Sequence, residues 1–422
     1  MILAYAGKHH SSKREKVLNL SEITLTIKMP ITEIESMVFK NKSKKRITSI
    51  QPRSSTKKPE SDFVNSFIVK IETSDGLTGY GESMCTFAAE GAQINTGRVL
   101  SHIINDTIKP HIIGKESSQY KGIYKSIVRN LGFDISGGLF THALSAVDIA
   151  LWDLYGKTMG EPIYKLIGEK RKDSVKVYAS KLTGLATPSD NEEFVTSLKN
   201  IMDSGIKGVK IGGGLGIRND LESVKLTRQI GGDNFYIILD CYGAYNIKDS
   251  IDLAKKLEEY NIEWLEAPTD PNDKYGNIKI NQSSGITIGL DPIINKWNYK
   301  EYLLSGGNIM GLIDVTRDGG ISEFKEFAKI ARVFRSDLST HSGWSVTSAG
   351  VLASAQVAAA FEEVSFMEFR IQFDDNPLGN SILRTPVRIQ DGKMIIPDGP
   401  GLGIEIDDDK LNEILESSSF VW

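Results

Sequence analysis

Six ionisable residues in this sequence stand at the ends of short apolar runs, and their types decide what chemistry is open to the chain. Asp240 follows "YIIL", Glu266 follows "IEWL", Asp291 follows "ITIGL", Asp314 falls in "GLIDV", His341 closes "LSTH" and Glu368 falls in "SFME". Asp240, Glu266 and Asp291 offer carboxylate oxygens with no Cys or His beside them in sequence. That is a hard-cation donor set, suited to Mg²⁺ with water and a ligand completing an octahedron. Each acid alone reads equally well as a helix N-cap or a surface charge; their recurrence at successive runs is what points to a metal. His341 is the only one of the 6 histidines at such a position. Asp314, one run earlier, is the residue type that fixes an imidazole tautomer and raises its basicity, so the pair reads as a general base. The plainer alternative is a histidine satisfied by a backbone carbonyl. The run "GVKIGGG" adds a cation: residues two apart in a strand share a face, so Lys210 and Gly212 point one way and Val209 and Ile211 the other.

The elements that must position these groups are readable as a repeat. From Val175 onward the runs "VKVYAS", "GVKIG", "YIILD", "EWLEA", "ITIGLD", "NIMGLIDV", "DLSTH" and "SFMEF" alternate with amphipathic helical segments. Eight such units suit a closed (β/α)₈ barrel, whose strands deliver their C-terminal residues to one mouth. Periodicity does not show closure, and a doubly wound sheet has the same pattern. Before the repeat come a strand at Ile31–Lys40, a basic stretch at Lys40–Lys58, a hairpin signal in "NSFIVKIETSDGLTGYGES" and helical periodicity from Gly91 to Gly160. The basic stretch reads as a solvated loop or as an anion-binding lid. The tail after Pro377 loses the repeat, and we expect it to pack away from the barrel, on the N-terminal part.

Composition sets the bounds. The chain has 422 residues, 40% hydrophobic and 25% charged, with a net charge of −4, so no overall basic field recruits nucleic acid or an anionic membrane. Small molecules are the expected partners. Cys85 and Cys241 lie far apart without metal-ligand spacing, which fits a reducing cytoplasm. No apolar run approaches the roughly 18 residues of a membrane span, and the N-terminus lacks the apolar core of a secretory signal. We expect a cytoplasmic protein. Residues 1–28 read as an ordered arm, a disordered extension or a start upstream of Met29.

With these residues in place, the sequence resembles the enolase superfamily, in the mandelate racemase and muconate lactonizing enzyme group. The resemblance runs from Ile31 to the C-terminus and is most specific in "ALSAVDIALWDLYGKTMGEPIYKLIG" at Ala143–Gly168, with "DVTRDGGISE" and "PDGPGLGIEID" also typical. It implies an α/β protein: a modified TIM barrel over residues 146–376, closed by an α+β capping domain made of residues 29–145 and 377–422. By motif position it implies Asp240, Glu266 and Asp291 as Mg²⁺ ligands, His341 and Asp314 as a dyad, and Glu368 beside the substrate carboxylate. It also implies a homo-oligomer, and places the basic stretch where relatives carry a loop that closes on the site.

The departures bear on the reaction. Where many relatives have Lys-x-Lys this chain has Lys210 and then Gly212, and where they have Asp-x-Asn or Asp-x-His it puts Tyr242 on the face of Asp240. The group's chemistry is removal of a proton α to a carboxylate, with cations stabilising the enediolate. A racemase needs a base on each face, whereas β-elimination needs one base and a proton for the leaving hydroxide, from His341 or Tyr242. The resemblance therefore implies dehydration of a sugar acid, an aldonate or aldarate, to a 2-keto-3-deoxy acid. A racemase or epimerase of a related acid, and a non-catalytic member, are the alternatives.

Overall fold

The computed structural model describes residues 29–47, 61–85, 96–135, 138–185, 191–293, 295–342, 347–370, 373 and 376–417. The extension 1–28 and residues 48–58 of the basic stretch lie outside them, so the readings made of those residues do too. Residues 40–47, expected as the start of a loop after a strand ending at Lys40, instead continue the first strand in pairing with the second. The N-terminal unit is a three-stranded antiparallel sheet, β1 (Ile31–Ile47), β2 (Ser61–Thr73) and β3 (Thr78–Ser83), in the order β1-β2-β3. Its β2–β3 turn is the expected hairpin, with Gly76 at φ +82° taking the left-handed position. Helices α1 (Thr96–His102), α2 (Tyr120–Ile135) and α3 (Gly138–Met159) follow, and the middle of α3 is buried on all sides between the sheet and the rest of the molecule. Among the described residues, no helix is long and apolar enough to cross a membrane.

After α4 (Ile163–Ile167) the chain forms β4 (Ser174–Thr183), β5 (Gly208–Gly212), β6 (Tyr236–Asp240), β7 (Trp264–Glu266), β8 (Ile288–Leu290), β9 (Ile309–Ile313), β10 (Leu338–Thr340) and β11 (Val364–Arg370). These strands are parallel and pair in chain order, and β11 closes on β4 from Phe366 opposite Lys176 to Arg370 opposite Ser180. The sheet is therefore a closed eight-stranded barrel, which removes the doubly wound alternative.

Strand alternation then makes two cores. Outward residues such as Val209, Ile211, Ile237 and Leu239 join the main apolar core. Inward residues Tyr178, Ile238, Trp264, Met310, Leu312 and Phe366 form a separate cluster inside the barrel. One period further along, the inward positions are Asp240, Glu266, Asp314 and Glu368, so the carboxylates stand on an apolar floor. Gly289 is part of that floor because a Cβ there would run into the Trp264 indole.

The tail corrects one expectation. Its hairpin, β12 (Ile389–Gln390) and β13 (Lys393–Ile395), joins the barrel: Lys393 pairs with Lys176 and Ile395 with Ser174, antiparallel. The first pairing of β4 with β5 is at Ala179, which leaves the start of β4 an open edge that β13 fills. Only then does the chain cross to the N-terminal unit, where Leu402 N–H donates to Asp153 Oδ1 at 2.9 Å and Tyr80 Oη donates to Asp408.

A buried carboxylate ties the two units together. Glu82 at the end of β3 is fully buried and accepts from Thr347 N (2.9 Å to each oxygen), Thr347 Oγ1 (2.6 Å) and Gly350 N (2.8 Å). Thr347 precedes the helix Ser348–Ala360, so the carboxyl meets the positive end of a helix. Burial nonetheless pushes Glu82 up to about 8 from 4.5, against the pull of these hydrogen bonds. A group with a raised folded value favours the fold fully below its unfolded value, and that contribution is lost as pH rises through about 8. The unfolding midpoint of the wild type should therefore fall between about pH 5 and about pH 9, with part of the slope missing in Glu82→Gln. Equal slopes in the two proteins would dissociate Glu82 from the effect.

Candidate active site

Lys210 lies at the level of the apolar floor, in register with Ile238, and its long stem lifts the ammonium into the carboxylate layer. Nζ is 2.8 Å from Glu266 Oε1, 3.1 Å from Glu368 Oε1 and 3.9 Å from Asp240 Oδ2. Burial alone would strip its proton, but Glu266 and Glu368 more than offset that and raise it well above the ordinary lysine value. These contacts favour the ammonium form of Lys210. Gly212, in register with Asp240, adds no side chain to the layer.

His341 and Asp314 form the expected dyad, with Nδ1 to Oδ2 at 2.9 Å and the other Asp314 oxygen held by Thr316 N (2.8 Å) and Oγ1 (2.6 Å). A carboxylate on Nδ1 selects the tautomer that leaves Nε2 as the reactive nitrogen. Nε2 faces Asp291 Oδ2 at 3.6 Å and Glu368 Oε2 at 3.8 Å. Burial would lower the imidazole value, yet Asp291, Glu368 and Asp314 together raise it to about 9. The ring is thus an imidazolium at neutral pH unless the charge on those carboxylates is neutralised.

Glu266, Asp291 and His341 each bring a ligand atom within 4.8 Å of the others, a group able to hold a metal ion. Two of the three expected ligands are in it. Asp240 is not, although it is in direct register with Glu266; its Oδ1 accepts from Tyr242 N–H at 3.0 Å and its Oδ2 faces Lys210. The donor set fits a divalent cation on two counts. Asp291 Oδ1 is buried and receives no aligned hydrogen bond, although Arg317 Nη2 stands 2.8 Å away. The carboxylates Asp240, Glu266, Asp291, Asp314, Asp318 and Glu368 also outnumber Lys210, Arg317, Arg370 and the His341 imidazolium around them. Burial is the largest cause that pushes Glu266 up to about 8, and the neighbouring charges of Asp240, Asp291 and Glu368 add to it against the pull of Lys210. A dication would relieve that excess of negative charge.

Tyr242 sits at the strand end with φ 50°, a left-handed backbone that is costly for an aromatic residue. Burial, then Asp240, raises its phenol well above the ordinary value, so it keeps its proton. Glu368 is held ionised: burial opposes this, and Lys210, His341 and Arg370 outweigh it.

Two functional-looking arginines escaped the sequence reading. Arg317 forks onto Asp318 (Nε to Oδ1 2.7 Å, Nη2 to Oδ2 3.0 Å) while reaching Asp291, and Asp318 Oδ2 accepts the Asp314 N–H at 2.8 Å. A chain of buried charge thus links the metal group to the dyad. Arg370 follows Glu368 on the same face of β11 and was visible as a second charge in a buried strand.

With this geometry established, comparison with known proteins places the chain. The family model described as "Enolase C-terminal domain-like" matches residues 193–410, and the one described as "Mandelate racemase / muconate lactonizing enzyme, N-terminal domain" matches residues 42–168. The arabinonate dehydratase of Saccharolobus solfataricus is 27% identical over 82% of this chain and 89% of its own length. The D-galactarolactone cycloisomerase of Agrobacterium fabrum is 28% identical over 82% and 90%. Among solved structures, a 3,6-anhydro-D-galactonate cycloisomerase from Zobellia galactanivorans matches with a TM-score of 0.76 at 27% identity, covering 91% of this chain and 99% of that one.

Proposed function

The chain belongs to the mandelate racemase / muconate lactonizing enzyme family of the enolase superfamily, and on that premise we propose that it is a Mg²⁺-dependent lyase that dehydrates a sugar acid, an aldonate or aldarate, to a 2-keto-3-deoxy acid. The observation that carries the reading is the one-sidedness of the site. His341 is held through Nδ1 by Asp314 and turns Nε2 into the site beside Asp291 and Glu368, whereas Lys210 is tied between Glu266 and Glu368. Gly212 offers no second acceptor at the level of Asp240. One base suits an elimination better than a racemisation, which must deliver a proton to the opposite face.

Glu266 and Asp291 would hold Mg²⁺, with Asp240 proposed as the third ligand, and the bound ion would supply Lewis-acid stabilisation of the developing enediolate. Within the chain, His341 Nε2 takes the proton from the carbon α to the carboxylate while Asp314 stabilises the resulting imidazolium. Lys210 places a positive charge beside the carboxylate end as negative charge grows. The β-hydroxyl leaves as water, protonated by His341 on the same face or by the Tyr242 phenol. Glu368, ionised beside Lys210 and His341, holds the Lys210 ammonium and offsets the charge of the imidazolium once His341 has taken the proton.

A second reading follows from the names of the relatives, which divide between dehydratases and cycloisomerases at similar identity. The same abstraction with a ring oxygen as the β leaving group opens a cyclic acid instead of dehydrating an open chain. The test is to incubate the full-length protein with Mg²⁺ and panels of open-chain and cyclic sugar acids, reading keto acid and recovered stereochemistry. Keto acid from an open-chain substrate supports dehydration, and keto acid from cyclic substrates alone transfers the assignment to the second reading. An epimer formed without keto acid overturns both.

A further inference from the structure

We propose that Arg370 is a positioning residue for His341, acting through the backbone of Ser342; the inference rests on the reading of His341 as the base. The last ladder bond of β10 runs from His341 N–H to Ile313 O at 2.9 Å. Beyond it Ser342 is still buried, and a buried peptide must find partners. It finds them in two side chains of β11. Ser342 N–H donates to Glu368 Oε2 at 3.0 Å, and the Ser342 carbonyl accepts from Arg370 Nε at 3.1 Å and Nη2 at 2.6 Å.

Glu368 and Arg370 are two residues apart and so share the inward face of the strand. The anion takes the peptide donor and the cation takes the peptide acceptor, so both bonds are charge-assisted. Together they extend the β10–β11 pairing by one residue where backbone partners have run out. Asp314 sets the rotation of the His341 ring through Nδ1, while this clamp sets the backbone from which the ring hangs. A planar guanidinium fixes the carbonyl with two prongs, which a lysine ammonium at the same place does not reproduce. Loss of the clamp moves the backbone that carries the ring, shifting Nε2 relative to the α-proton and Nδ1 relative to Asp314.

The experiment compares full-length, Mg²⁺-loaded Arg370→Met and Arg370→Lys with the wild type by two readouts. The first is the low-field proton resonance of the His341 Nδ1–H bond to Asp314, which needs no substrate. The second is kcat and KM on the acid that the wild type turns over. Arg370→Met should lose about a hundredfold in kcat, with KM within about threefold, and its low-field resonance should shift or broaden. Arg370→Lys should melt near the wild-type temperature yet recover only a small part of the lost rate, and it carries the test if the Met variant does not fold. A loss confined to KM would make Arg370 a substrate contact and overturn the proposal, as would full activity. If the wild type turns over no acid tested, the resonance decides alone: an unchanged signal in Arg370→Met overturns the clamp.

Discussion

His341→Asn should lose keto-acid formation by about 10⁴-fold while melting close to the wild-type temperature. Asparagine fits the space of the ring and keeps a donor toward Asp314, whose other oxygen remains satisfied by Thr316 N and Oγ1. The fold therefore has little reason to respond, and only the nitrogen that accepts the α-proton is gone. Asp314→Asn should act in the same direction through the wrong tautomer and a less basic ring. Parallel measurement of keto acid and thermal unfolding separates the chemical loss from a structural one. A His341→Asn enzyme within about tenfold of wild-type rate would return the role of base to Tyr242 or Lys210, and the ammonium state of Lys210 already weighs against the latter.

Glu266→Gln and Asp291→Ala should each cost about 10³-fold in activity and remove most of the affinity for Mn²⁺ read by calorimetry or electron paramagnetic resonance. Glutamine is preferred at position 266 because it preserves an acceptor for Trp264 Nε1, 3.1 Å from Glu266 Oε2, so a loss there is a loss of charge at the donor. The same titration resolves the place of Asp240. If Asp240→Asn also loses Mn²⁺, its carboxylate turns from Lys210 and Tyr242 N–H toward the ion on binding. If affinity is unchanged, the set is Glu266, Asp291 and their neighbours. Full Mn²⁺ affinity in both Glu266→Gln and Asp291→Ala would place the metal elsewhere.

Much of this site was readable from the chain because parallel barrel strands are buried on both faces and therefore spell short apolar runs, each followed by the residue it delivers to the mouth. That logic brought Asp240, Glu266, Asp314, His341 and Glu368 to one end. Closure was not readable, since the pairing of β11 with β4 joins segments nearly two hundred residues apart and leaves no local mark. Nor was the rotamer that sends Asp240 toward Lys210 and puts His341 beside Asp291, because strand parity fixes a face and not a torsion. Arg317 stood in a quoted motif, yet its partner Asp291 lies on another strand end and nothing in the local pattern joins them. The tail hairpin was misplaced for a related reason: the free edge it covers exists only because β4 begins before its pairing with β5.

The most direct test of the central claim, that His341 removes the α-proton as the first chemical step, is to convert a sugar acid deuterated at C2 in ordinary water and follow the label by NMR. Abstraction by a base in exchange with solvent predicts that the deuterium leaves the molecule and appears in water, with protium at C3 of the keto acid, and that His341→Asn releases none. Undiminished release of deuterium by His341→Asn would mean that another group takes the α-proton, and would contradict the account.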